Sequence, residues 1–141
     1  VASTVTHAPA EHNKAPTLKS GVFDFAKLTD VPTKTGSRRG VLNGTTRTLL
    51  KLESHLTTVN ARDASHAAHR HPDEEWVIVH EGNVEFTING KSEVAGPGSI
   101  AFFASNDLHG MRNVGDTRAM YHIIRMATAA TPKPEPAAKK K

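Results

Sequence analysis

Val84, Phe86 and Ile88 alternate with Glu85, Thr87 and Asn89, and Asn89-Gly90 then supplies a type I′ hairpin turn. A period of two places successive side chains on opposite faces of a strand, so this stretch fits a half-buried sheet and not a helix. The signature recurs along the chain. Leu50, Leu52 and Leu56 alternate against Lys51, Glu53 and His55 within the run from Arg47 to Val59. Trp76 to Val79, Ile100 to Phe103 and Arg118 to Met126 are further strand-like runs, divided by Gly, Asn, Asp and Pro. No stripe of 3.6-residue period competes with them. The pattern predicts an antiparallel all-β domain, and a jelly-roll barrel is one of few ways to bury many short strands without long edges. The three leucines are expected to mark the inner face.

A single domain with two tails accommodates the 141 residues. Residues 1–20 mix Ala, Pro, Ser, Thr and His without periodicity, and the chain from residue 128 onward ends in TPKPEPAAKKK. The expected division is therefore a flexible segment over 1–20, a barrel over 21–127 and a disordered lysine-rich tail over 128–141. Charge follows that division. The net charge of +4 resides in the ends, +1 in residues 1–20 and +3 in residues 128–141, while the middle balances 12 basic against 12 acidic residues. A neutral barrel with a lysine tail does not predict a nucleic-acid binder. No apolar run approaches the roughly 18 residues of a membrane span. The absence of cysteine rules out disulfides and thiolate ligands. The opening at Val1, rich in small and polar residues, resembles the start of an exported mature protein, so a periplasmic or secreted location is expected, with cytoplasm as the alternative.

The chemistry concentrates in two segments, HRHPDEEWVIVHEG from His69 and GPGSIAFFASNDLHGMRN from Gly96. On an extended chain His69 and His71 point the same way. Pro72 and Asp73 mark a turn, after which Glu75 returns beside Val77 and Val79, and His109 arrives from a distant strand. Three imidazoles and one carboxylate suit a divalent first-row ion such as Mn, Fe, Co, Ni, Cu or Zn, and an octahedral ion would keep two positions open. His69, His71, Glu75 and His109 are the expected metal ligands.

These two segments resemble the paired motifs of the cupin family. In the first motif a glycine precedes His-x-His by five residues, a glutamate follows, and a glycine closes after six more. His69, His71, Glu75 and Gly82 match it, with Asp63 where the leading glycine is expected. The second motif is matched by Gly90, Gly98, His109 and Asn113, with Gly96 in place of the proline and a long gap before His109. The resemblance covers residues 40–127. It implies a double-stranded β-helix, or jelly-roll, and carries the family's ligand positions onto the same four residues. It further implies metal-dependent chemistry, of the dioxygenase or decarboxylase type, on a small oxygen-rich acid, enol or sugar that chelates the ion. The alternatives are a non-redox isomerase or lyase and a non-catalytic metal- or ligand-binding cupin.

His122, in phase with Met120, Ile124 and Met126, is expected to face the cavity and to carry a proton near neutral pH. His66 is either an accessory ligand or a rim residue, with a plain loop histidine as the default, while Asp73 and Glu74 read as solvent-facing and Arg70 as an exterior charge. Met111, Phe102 and Phe103 are candidates for an apolar wall, with core packing as their default role, and Asn113 is a candidate for bracing a loop. No functional role is assigned to His7, His12, His55 or His80. The resemblance also implies a homodimer, with the apolar segment Gly21–Phe25 as the arm that pairs two copies.

Overall fold

A computed structural model describes residues 16–135 of the chain. His7, His12 and the lysines at 139–141 lie outside the described residues. Nine strands form two antiparallel sheets. The larger contains β1 (Val31–Thr33), β2 (Gly36–Gly44), β3 (Lys51–Val59), β9 (Ala119–Ala127), β4 (Glu74–Glu81) and β7 (Ile100–Phe103), in the order β1-β2-β3-β9-β4-β7. The smaller runs β6 (Lys91–Ala95), β5 (Val84–Ile88) and β8 (His109–Asn113). Strands distant in sequence are therefore neighbours, β3 with β9 and β5 with β8, as the expected jelly roll requires.

The hairpin read from the sequence is present at the expected residues. Val84–Ile88 is β5, and Asn89 (φ 47°) with Gly90 (φ 84°) makes the turn into β6. Both turn positions need positive φ, which Asn and Gly tolerate best. Gly82 (φ 84°) is constrained for a second reason, because a Cβ there would lie 2.9 Å from Ala119.

The core is a plug of apolar side chains between the sheets, including Val59, Val77, Val79, Phe103, Met111 and Tyr121. Its composition corrects one expectation. On β3 the residues facing Tyr121 and Ile123 of β9 are Thr57 and His55, and next in that row Glu53 opposes Arg125. The inner face of β3 is thus Glu53, His55, Thr57 and Val59, and Leu52 and Leu56 face outward. Leu50 precedes the strand and is 63% exposed. Polar residues point in because that end of the barrel is a cavity rather than packed core.

The outer face of the larger sheet is correspondingly apolar. Trp76 opposes Phe102 and Ile124, and Ile78 opposes Ile100. An antiparallel sheet with one solvated face would carry polar residues there. Part of this face is covered by the chain preceding β1, where Phe23, Phe25 and Leu28 line a groove with Leu56, Met120 and His122. Residues Gly21–Phe25 do not form a strand; Phe25–Lys27 is one turn of 3-10 helix capped by Asp24. At the margins of the barrel, Thr17 bridges Thr45, and Glu135 pairs with Arg70. Among the described residues no helix is long and apolar enough to cross a membrane.

Candidate metal centre

His69, His71 and Glu75 lie on the segment that enters β4, and His109 opens β8. One backbone bridge brings the segments together: His69 and His109 exchange two N–H···O bonds of 2.9 Å. Such a pair places both side chains on the same side. One nitrogen from each of His69, His71 and His109 lies within 4.8 Å of the others. Glu75 joins them, its Oε2 at 2.9 Å from His71 Nε2 and 3.8 Å from His109 Nε2. The structure thus collects all four residues singled out by their spacing, with Glu75 and His109 buried and His69 at the open end.

The second hydrogen bonds of the imidazoles decide what this cluster can hold. His109 Nδ1–H donates to the Asp107 carbonyl at 2.9 Å, and His71 Nδ1–H donates to the Asp73 carbonyl at 3.0 Å. Carbonyls only accept, so each ring keeps its proton on Nδ1 and turns the Nε2 lone pair inward. His109 Nε2 is buried without a hydrogen-bond partner among the described residues. Two lone pairs and a carboxylate then face a common point, an arrangement that a cation satisfies and that would otherwise be costly. Phe103 stacks flat on His109, with ring centroids 4.1 Å apart, and fixes its plane.

The electrostatics agree. Burial and the neighbouring imidazoles of His66, His109 and His71 push His69 down from 6.5 to about 4, so it is neutral and able to ligate at neutral pH. Burial also lowers His109. For Glu75 burial opposes ionisation, but without an ion a second proton on His71, shared from Nε2 with the carboxylate, and the charges of His109, His71 and Arg125 outweigh it and hold the carboxyl below its ordinary value.

Beside the cluster lies a cavity of about 360 Å³ walled by Arg38, Glu53, His55, Thr57, Ile123 and Arg125, with His69 and Glu75 on its lining. Glu53 accepts from Arg38 at 2.7 Å and from His55 Nδ1 at 2.6 Å. Asp73 accepts from Lys51 at 2.7 Å and from Arg125 at 2.9 Å.

Several expectations change here. His122 is not brought to this cavity. It alternates out of phase with the inward Tyr121, Ile123 and Arg125, and its Nε2 meets the Ser54 hydroxyl on the outer face, near His80. Phe102 faces outward for the same reason, at 48% exposure, whereas Phe103 and Met111 are core. Asp73 is occupied by two cations and does not face solvent. His66 stacks on His69 at 4.2 Å, on the cavity rim. Asn113 is buried and its amide donates to the carbonyls of Val59, Asn60 and Thr117, so it braces the loops at the base of β8. The sequence reading missed Arg38, Glu53, His55 and Arg125. The available signal was Thr57 and Val59, which fix the parity of β3 once Val59 is taken as core.

Two antiparallel sheets wound as a jelly roll, with a histidine–carboxylate cluster at the mouth, define a small β-barrel protein with a candidate metal cavity. A sequence profile of the cupin domain matches residues 55–125, half of the chain, and the chain belongs to the cupin family. Solved structures of the same fold include an RmlC-like cupin from Shewanella frigidimarina, 17% identical over 79% of this chain and 95% of that one, with a TM-score of 0.62. KdgF from Halomonas sp. is 16% identical over 79% and 97% of the two chains, with a TM-score of 0.63. An oxalate decarboxylase variant from B. subtilis is 19% identical over 82% of this chain and 32% of its own, with a TM-score of 0.61. At these identities the likeness concerns the fold. A search of curated proteins finds no significant match.

Proposed function

We propose that this cupin binds one divalent first-row transition ion through His69, His71, Glu75 and His109. It is further proposed to be a metal-dependent enzyme, of the dioxygenase or decarboxylase type, for a small oxygen-rich acid, enol or sugar. The observation that carries the reading is the buried, partnerless Nε2 of His109, aimed with His71 Nε2 at the Glu75 carboxylate. A bound ion would supply Lewis acidity for the negative charge that develops on a chelated oxygen.

The chain's own residues provide the rest. The carbonyls of Asp73 and Asp107 hold two imidazoles in the ligating tautomer. Ile123 is the apolar residue of the cavity wall, and it joins the cavity to the apolar core. His55, oriented by Glu53 through Nδ1, stands in the cavity and takes the proton-carrying role in place of His122. The arginines in the wall favour an acid over a neutral sugar. Two copies are proposed to pair through the outer sheet face, where Trp76, Phe102, Ile100 and Phe23 are 42–59% exposed. A monomer by light scattering would remove that part of the reading.

Elemental analysis of protein purified without added metal or a histidine tag, together with oxygen uptake on small dicarboxylates, enols and flavonols, tests the proposal. About one Mn, Fe, Ni or Cu per chain with substrate-dependent uptake supports it. One tightly held Zn and no uptake favours non-redox isomerase or lyase chemistry or a binding role. No metal overturns it.

A further inference from the structure

The cavity contains a second buried atom without a partner. Arg125 Nε, on β9, is buried and its N–H finds no acceptor among the described residues. Its guanidinium is already oriented, because Nη2 donates to Asp73 Oδ2 at 2.9 Å and Asp73 is itself anchored by Lys51. Glu75 Oε2 lies 3.9 Å from Nε, too far for a hydrogen bond, and that oxygen lies 2.9 Å from His71 Nε2. Arg125 lines the cavity beside Glu75 and His69. Arg38 lines it as well, but is 48% exposed and its Nη2 is committed to Glu53.

A buried cationic N–H left unpaired is costly, and only an anionic or strongly accepting group satisfies it. We infer that Arg125 is a specificity-determining residue, whose Nε–H receives the carboxylate of a small 2-oxygenated acid, a 2-hydroxy or 2-oxo carboxylate. The inference rests on the metal-site reading above, which leaves the acid's second oxygen for the ion. Its size limit comes from the same geometry. Glu75 Oε2 lies 3.9 Å from Arg125 Nε and 2.9 and 3.8 Å from His71 and His109 Nε2, so one small acid would reach both the Arg125 Nε–H and an ion held there. A neutral sugar hydroxyl would meet the Nε–H only with the weaker bond of an uncharged acceptor, and a cationic group would not meet it.

The test uses the full-length protein loaded with its metal, with glycolate as the charged probe and glycolamide as its neutral counterpart. Calorimetric affinity and metal content are measured for wild type, Arg125→Gln and Arg125→Lys. Wild type is expected to prefer glycolate. Arg125→Gln is expected to lose at least tenfold in glycolate affinity, with glycolamide binding and metal content unchanged; Arg125→Lys should fall between the two. Equal glycolate affinity in wild type and Arg125→Gln overturns the inference, as does a wild type without preference for the anion. Loss of the metal in the variants overturns it too, since Arg125 would then act by positioning Glu75. Should Arg125→Gln fail to fold, the glycolate preference of Arg125→Lys decides, and a preference equal to wild type's sinks the assignment. A protein that holds no metal, yet loses glycolate preference in Arg125→Gln, would refute the metal reading and leave Arg125 as the anion anchor.

Discussion

Replacing His71 by alanine separates the metal site from the barrel. His71 lies outside the named strands and contributes no side chain to the apolar core. Its loss removes one hydrogen bond, to the Asp73 carbonyl, and the contact with Glu75. A hydrogen bond of that kind is worth about 1 kcal/mol net, so the metal-free variant should differ little in stability from metal-free wild type. Metal linkage is larger. With free ion at about 100–1,000 times its dissociation constant, binding to the native state alone adds about 2.7–4.1 kcal/mol. For a domain of this size, at about 4 °C per kcal/mol, chelation should lower the melting temperature of wild type by about 10–16 °C. His71→Ala should melt near chelated wild type and should not respond to chelator. Thermal melts followed by circular dichroism, with and without chelator and alongside elemental analysis, provide the assay. A His71→Ala protein that keeps full metal and the full chelator response would refute the ligand assignment.

The remaining expectations concern the framework. Asn113→Ala takes two shared amide hydrogens from the carbonyls of Val59, Asn60 and Thr117, of which Asn60 keeps the Asp63 N–H, and deprives Gly115 N–H of its acceptor, at a cost of about 3 kcal/mol, which a urea titration would detect as a lower midpoint at unchanged slope. A loss under about 1 kcal/mol would mean that water replaces the amide. His122→Ala should retain metal and lose only its pairing with Ser54; abolished metal binding in a folded His122→Ala protein would show that the outward placement is wrong. Metal-free protein should lose stability as pH falls from 6.5 toward 4, because the unfolded chain binds a proton at His69 that the folded chain refuses until about pH 4. His109 and Glu75, also lowered, act in the same direction. His69→Gln should flatten this profile in chemical denaturation measured at several pH values, and an unchanged slope would count against the shift.

Which parts of this protein can be read from its sequence depends on whether the relevant contact is local. The hairpin at Asn89-Gly90 and the strand Ile100–Phe103 are legible because their turn chemistry and alternation lie within a few residues. His69, His71 and Glu75 are legible for the same reason, and His109 is reached through a second motif of fixed spacing. The face of β3 was not legible. Its alternation is clear, but alternation does not say which side is inside, and the usual assignment of leucines to the interior fails here. The reason is that this sheet inverts the ordinary partition at one end. Glu53, His55 and Arg125 point into a cavity, and their mutual ion pairs with Arg38 and Asp73 offset the burial of charge. Leu56, Ile78, Trp76 and Phe102 are turned outward, and the stretch from Phe23 to Leu28 folds over only one side of them. The outward placement of His122 and Phe102 follows from that single parity. A sheet whose inner face turns polar at one end while apolar residues face outward there is a poor arrangement for an isolated packed core. It is the arrangement expected of a barrel that encloses a charged ligand and presents its outer face to another surface, so the parity that defeated the sequence reading is itself evidence for the site.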